Sequence, residues 1–81
     1  MDTIEKGRFY ILSDSNTDDK FWAFIKDIDI EGFNYFCFSD NVWKEKVSKS
    51  LDFAVEVENI EVVPIHFFSK QQKRMVVKSI I

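Results

Sequence analysis

Apolar and polar positions alternate along most of this chain, and the alternation is densest between Lys20 and Phe38, KFWAFIKDIDIEGFNYFCF. That stretch holds seven of the thirteen aromatic residues. Glu31-Gly32 divides it, and each half has the two-residue period of a β-strand, so the pattern predicts a hairpin of Phe21–Ile30 and Phe33–Phe38. Strand geometry puts Trp22 and Phe24 on one face and Phe21, Ala23 and Ile25 on the other. Pairing across the turn is expected to bring Tyr35 beside Trp22 and Phe24, with Phe36 on the opposite face. A sheet this small is expected to bury one aromatic face as core and leave the other open as a platform.

The remaining elements follow the same reading. Gly7–Leu12 (GRFYIL) predicts a first strand, and Ser13–Asp19 (SDSNTDD) holds only turn formers, hence a loop. Asp40–Lys49 has apolar residues at Val42, Trp43 and Val47, and Asp40 or Asn41 suits a helix cap, so one or two helical turns are expected there. Leu51–Val57 alternates, with Leu51, Phe53, Val55 and Val57 inward. Asn59–Phe68 stays β-rich, although Pro64 confines it to an edge, bulge or bend. Ser69–Lys73 reads as a polar turn and Arg74–Ile81 as the last strand. Five short strands without a sustained helical period predict an all-β fold, a small five-stranded antiparallel barrel spanning residues 1–81 as a single domain.

Composition narrows the class. The chain has 81 residues, 46% hydrophobic and 31% charged, which fits one globular domain near the lower size limit for a self-sufficient core. Cys37 is the sole cysteine, so no internal disulfide can form, and a reducing cytoplasmic setting is expected. The start, MDTIEKGRFY, lacks the basic cap and apolar run of a signal peptide, and no apolar stretch reaches membrane-span length. All 14 acidic groups fall in residues 1–61, whereas residues 62–81 carry Lys70, Lys73, Arg74 and Lys78 with no acid. The net charge of −3 disfavours strong nonspecific phosphate binding but leaves room for a local basic stripe.

Catalytic groupings are sparse. One histidine, His66, and one cysteine cannot form a usual zinc set, and two glycines do not make a phosphate cradle. Neither an enzyme nor a metal or cofactor site is expected.

Lys20-Phe21-Trp22-Ala23-Phe24-Ile25 resembles the first ribonucleoprotein motif of the bacterial cold-shock domain, Lys-Gly-Phe-Gly-Phe-Ile. Asn34-Tyr35-Phe36-Cys37-Phe38 resembles its second motif, Val-Phe-Val-His-Phe, and Glu31-Gly32 resembles the turn between them. Gly7–Ile11, Phe53–Val57 and Met75–Ile80 are similar, in order, to other strands of that family. Phe21 and Ala23 stand where the family has glycines, and Cys37 where it has histidine. The resemblance implies a cold-shock-like barrel of the OB-fold type that binds single-stranded RNA or DNA. Bases would stack on Trp22, Phe24, Tyr35 and Phe38, with Lys20 and Arg8 attracting phosphates. The alternative keeps the same aromatic patch as a protein interface, with another protein or in a homodimer, nucleic-acid binding having been lost.

Overall fold

A computed structural model describes residues 4–13, 19–49 and 54–80. Its sheet has five antiparallel strands, β1 (Phe9–Ser13), β2 (Lys20–Ile28), β3 (Phe33–Ser39), β4 (Val42–Ser48) and β5 (Ala54–Glu56), in the order β4-β3-β2-β1-β5. Two 3₁₀ turns, Ile60–Val62 and Ile65–Phe67, lead into one helix, α1 (Lys70–Ile80). The mostly-β expectation holds, but the sheet is not closed into a barrel: β4 and β5 are its two edges.

The expected helical turns at 40–49 are instead a hairpin return. Asp40 and Asn41 both adopt positive φ, 54° and 61°, the conformation a two-residue primed turn needs and one that Asp and Asn tolerate. Ser39 therefore pairs with Val42 and Phe38 with Trp43, and β4 runs back along β3. At the other hairpin, the Asp29 side chain accepts the N–H groups of Glu31 (2.8 Å) and Gly32 (2.9 Å). Gly32 is required there by close approach, since a Cβ would collide with the Ser48 carbonyl.

Register overturns the expected faces. Near the turn Ile28 pairs with Phe33 and Asp27 with Asn34, but past Lys26 the pairs become Ile25–Tyr35, Phe24–Phe36 and Ala23–Cys37. Lys26 is a bulge, and one extra residue inverts every face beyond it. Phe24 thus shares a face with Phe36, while Tyr35 lies opposite, with Ala23, Ile25 and Cys37.

Both faces are buried, contrary to the expectation of an open platform. One carries Phe9, Phe24, Phe36 and Trp43, closed over by Val63, Phe68 and Val76 from the C-terminal arm. The other holds Tyr10, Leu12, Ala23, Ile25, Phe33, Tyr35 and Cys37, with Ile4, Phe21 and Ala54 packed against them. Leu51 and Phe53, expected inward, lie outside the described residues, and Val55 is exposed rather than inward.

The arm exists because residues 59–80 are not strands. Asn59 caps the first 3₁₀ turn, its side chain accepting the Glu61 N–H, and Pro64 separates the two turns. Ser69 and Gln72 form a reciprocal capping box: Ser69 Oγ accepts the Gln72 N–H (3.1 Å) and Gln72 Oε1 accepts the Ser69 N–H (2.9 Å). The helix then turns Gln72, Val76 and Ser79 inward and Lys70, Lys73, Arg74, Val77 and Lys78 outward. Gly7, at φ 82°, lets the N-terminal segment approach the end of α1, where a Cβ would stand 2.7 Å from the Ser79 carbonyl oxygen.

Ser69→Ala is expected to cost roughly 0.5–2 kcal/mol through loss of this cap. Urea denaturation checks it, and an unchanged midpoint would refute the cap's role.

Candidate nucleic-acid interface

The residues expected to stack on bases divide between the two buried faces, Trp22, Phe24 and Phe38 on one and Tyr35 on the other. Phe24 is 0% exposed, its ring 4.8 Å from Phe9 and 6.4 Å from Phe36, so no base can reach it. Tyr35 is buried on the other face, stacked on Phe21 at 6.2 Å and tilted on Phe33 at 5.3 Å. Trp22 is half-buried against the Phe9–Phe24 cluster. Phe38 is also half-buried, between Trp43 (5.1 Å) and Phe67 (5.3 Å). The single aromatic platform of Trp22, Phe24, Tyr35 and Phe38 is therefore not assembled.

The cations divide likewise. The Arg8 guanidinium lies 2.7 Å from Glu5 and 3.1 Å from Glu56, and these carboxylates, Glu5 foremost, raise its pKa. A phosphate at Arg8 would have to displace two carboxylates. Lys26 is paired with Glu45, and its ammonium sits 4.9 Å from the Phe36 ring centroid. Lys20 is exposed and joins Phe38 in lining one cleft of about 420 Å³, together with Phe21, Ser39, Lys46 and the carboxylate of Asp19. Of the six expected site residues, Trp22, Phe24 and Phe38 share one cluster and Lys20 joins Phe38 at the cleft, while Tyr35 lies on the other face and Arg8 is held by Glu5 and Glu56.

The cleft also meets Cys37. Burial pushes this thiol above its ordinary pKa, with Lys46 and Lys44 pulling the other way. The fold therefore favours the neutral thiol, a poor nucleophile and metal ligand. His66 is exposed and rests its ring 4.3 Å from Phe67. Among the described residues no three His, Cys, Asp or Glu side chains are grouped to hold a metal. No helix among them is long and apolar enough to cross a membrane.

Sequence reasoning missed Trp43 as a structural hub. Its indole is buried, stacks on Phe68 at 4.2 Å and donates Nε1–H to the Pro64 carbonyl at 3.0 Å. The Trp43 carbonyl faces away from β3, because the pair beside a hydrogen-bonded turn pair points its polar groups outward. Gln72 Nε2 donates to that carbonyl at 2.8 Å. The readable signals were the Asp40-Asn41 turn, which makes Trp43 a strand residue, and the Ser69…Gln72 spacing, which starts the helix.

A buried thiol with a raised pKa gives a signed expectation. The folded chain holds the Cys37 proton more tightly than the unfolded chain does. This contribution is full below the unfolded value of about 8.5 and is lost as pH rises through the folded one. Ellman's reagent should accordingly label Cys37 on the order of tenfold more slowly in the native chain than in denaturing urea at mildly alkaline pH. Equal rates would contradict the burial.

No protein-family model, curated protein or solved structure matches the chain, so the likeness to the cold-shock domain rests on the quoted residues alone.

Proposed function

We propose that this chain is a protein-interaction module whose contact surface is the outer side of the C-terminal arm. One observation carries the reading. While Val63 and Phe68 turn inward to close the sheet, Ile60, Val62, Ile65 and Phe67 within the same nine-residue stretch stay exposed. Isolated exposed apolar residues are ordinary on a protein surface, but four in eight positions on one arm are not. Phe67 is held by its contact with Phe38, which limits the side-chain entropy that binding would cost. A partly exposed, pre-positioned aromatic suits a binding hot spot. The aromatic hairpin face supplies the rigid base under the arm and does not itself meet the partner.

Affinity capture on the immobilised chain tests this, with nuclease treatment and an Ile65→Ser/Phe67→Ser comparison. Discrete protein partners should survive nuclease and be lost with the double variant. Retention that depends on nucleic acid would overturn the reading.

A second reading, single-stranded RNA or DNA binding, is favoured by the cleft where Lys20 and Lys46 flank Phe38. Oligo-dT and oligo-U titrations at low and physiological salt separate the two. Micromolar binding weakened by Phe38→Ala and Lys46→Gln supports the nucleic-acid reading, and its absence leaves the protein-interaction reading.

A further inference from the structure

A marked charge asymmetry lies between two surfaces, neither of which includes the exposed apolar residues Ile60, Val62, Ile65 and Phe67. At 100° per residue, Lys70, Lys73, Arg74, Val77 and Lys78 fall within an arc of roughly 140° on the outer face of α1, over a helix length of about 12 Å. All five are exposed, and among the described residues none of the four cations has an ion-pair partner. Lys73, Arg74, Val77 and Lys78 alone line a shallow hollow of about 350 Å³, so the stripe has an apolar floor between its charges.

The opposite character appears at the β2–β3 hairpin tip. Asp27, Asp29 and Glu31 are exposed and form no ion pair among the described residues. Lys49 lies near this turn, next to Gly32, and offsets one of the three charges. Between the acids, Ile28 is exposed and Ile30 projects wholly into solvent at 103% relative exposure. The turn holding Ile30 out is ordered by the Asp29 side chain, which accepts two backbone N–H groups. Covering Ile30 would therefore remove apolar surface from water without first having to order the turn that carries it.

We propose that a second copy of this chain is the occupant: its acidic tip docks on the basic face of α1, with Ile30 seated in the hollow between Lys73, Arg74, Val77 and Lys78. The two surfaces match in sign and in apolar content, and neither has an ion-pair partner among the described residues. The same tip and helix are present on every copy, so a two-fold pair makes the contact twice. The alternative of pairing through the β4 edge is disfavoured. Antiparallel pairing centred on Glu45 would set Lys44 of one copy opposite Lys46 of the other and Glu45 opposite Glu45, and exposed lysines on an edge strand resist such pairing.

Sedimentation equilibrium of the purified full chain at low and high salt tests the proposal, using the wild type, Lys73→Glu/Arg74→Glu and Asp27→Lys/Glu31→Lys. Asp29 is left intact because it orders the turn. Wild-type self-association should weaken on the order of tenfold with added salt and in each reversal variant. Mixing the two variants should restore a complex, since opposite charges meet again at both contacts of the two-fold pair. Ile30→Ser should weaken association without altering the circular dichroism spectrum. Should a reversal variant misfold, Lys73→Gln/Arg74→Gln and the wild-type salt series decide the question. A wild type that stays monomeric at high concentration and low salt overturns the proposal, as does association indifferent to all these changes. A monomer whose α1 face instead binds oligo-dT reassigns that face to nucleic acid. None of these variants touches Ile65 or Phe67, so the capture experiment stands or falls separately.

Discussion

Trp43 ties the two halves of this molecule together. Its indole lies nearly parallel to Phe68, at 4.2 Å and 14°, and its Nε1–H is satisfied by the Pro64 carbonyl. An aromatic pair of this kind contributes about 0.5–1.5 kcal/mol beyond area burial. A buried indole left without an acceptor would cost about 1–3 kcal/mol. Gln72 closes the loop, capping α1 with its amide oxygen while its amide nitrogen reaches the Trp43 carbonyl. One edge-strand residue thus fixes the 3₁₀ turns, the helix start and the cover over Phe9, Phe24 and Phe36.

That cover decides what the aromatic hairpin can do. With the arm in place, Phe24 and Phe36 are core, and Trp22 and Phe38 lie at its margin. The bulge at Lys26 places Tyr35 on the far side, against Phe21 and Phe33. Aromatics that would form a stacking platform on an open sheet here supply packing for two cores. The surfaces that the cores leave over are the outer side of the arm, the cleft beside Phe38, and the charged helix and hairpin tip.

The hairpin itself was legible, since alternation on both sides of Glu31-Gly32 leaves little else for it to be. Its faces were not. Counting outward from the turn gives the correct pairing at Ile28–Phe33 and the wrong face from Ile25 onward, because nothing in the alternation marks Lys26 as an inserted residue. At Val42, Trp43 and Val47 the spacing fits a short helix as well as a strand, and Asp40-Asn41 serves a cap or a primed turn equally well. Local sequence could not decide between them; burial of Trp43 did. In Arg74–Ile81 the β-branched residues outweighed the Ser69…Gln72 box, although the box sets the helix start and packing of Val76 on the sheet holds it. Of the site, the meeting of Lys20 and Phe38 followed from their places on adjacent strands. The loss of Phe24 and Tyr35 to the interior depended on the bulge and the arm together.

The most direct measurement is a two-dimensional nuclear Overhauser spectrum of the full chain, with Trp22→Phe used to assign the Trp43 indole. Strong cross-peaks are expected between the Trp43 indole and the Phe68 ring, with the Trp43 indole N–H slow to exchange. A Trp43 indole that exchanges freely and shows no contact with Phe68 would mean that the arm does not close the sheet, and the aromatic face would again be open to a ligand.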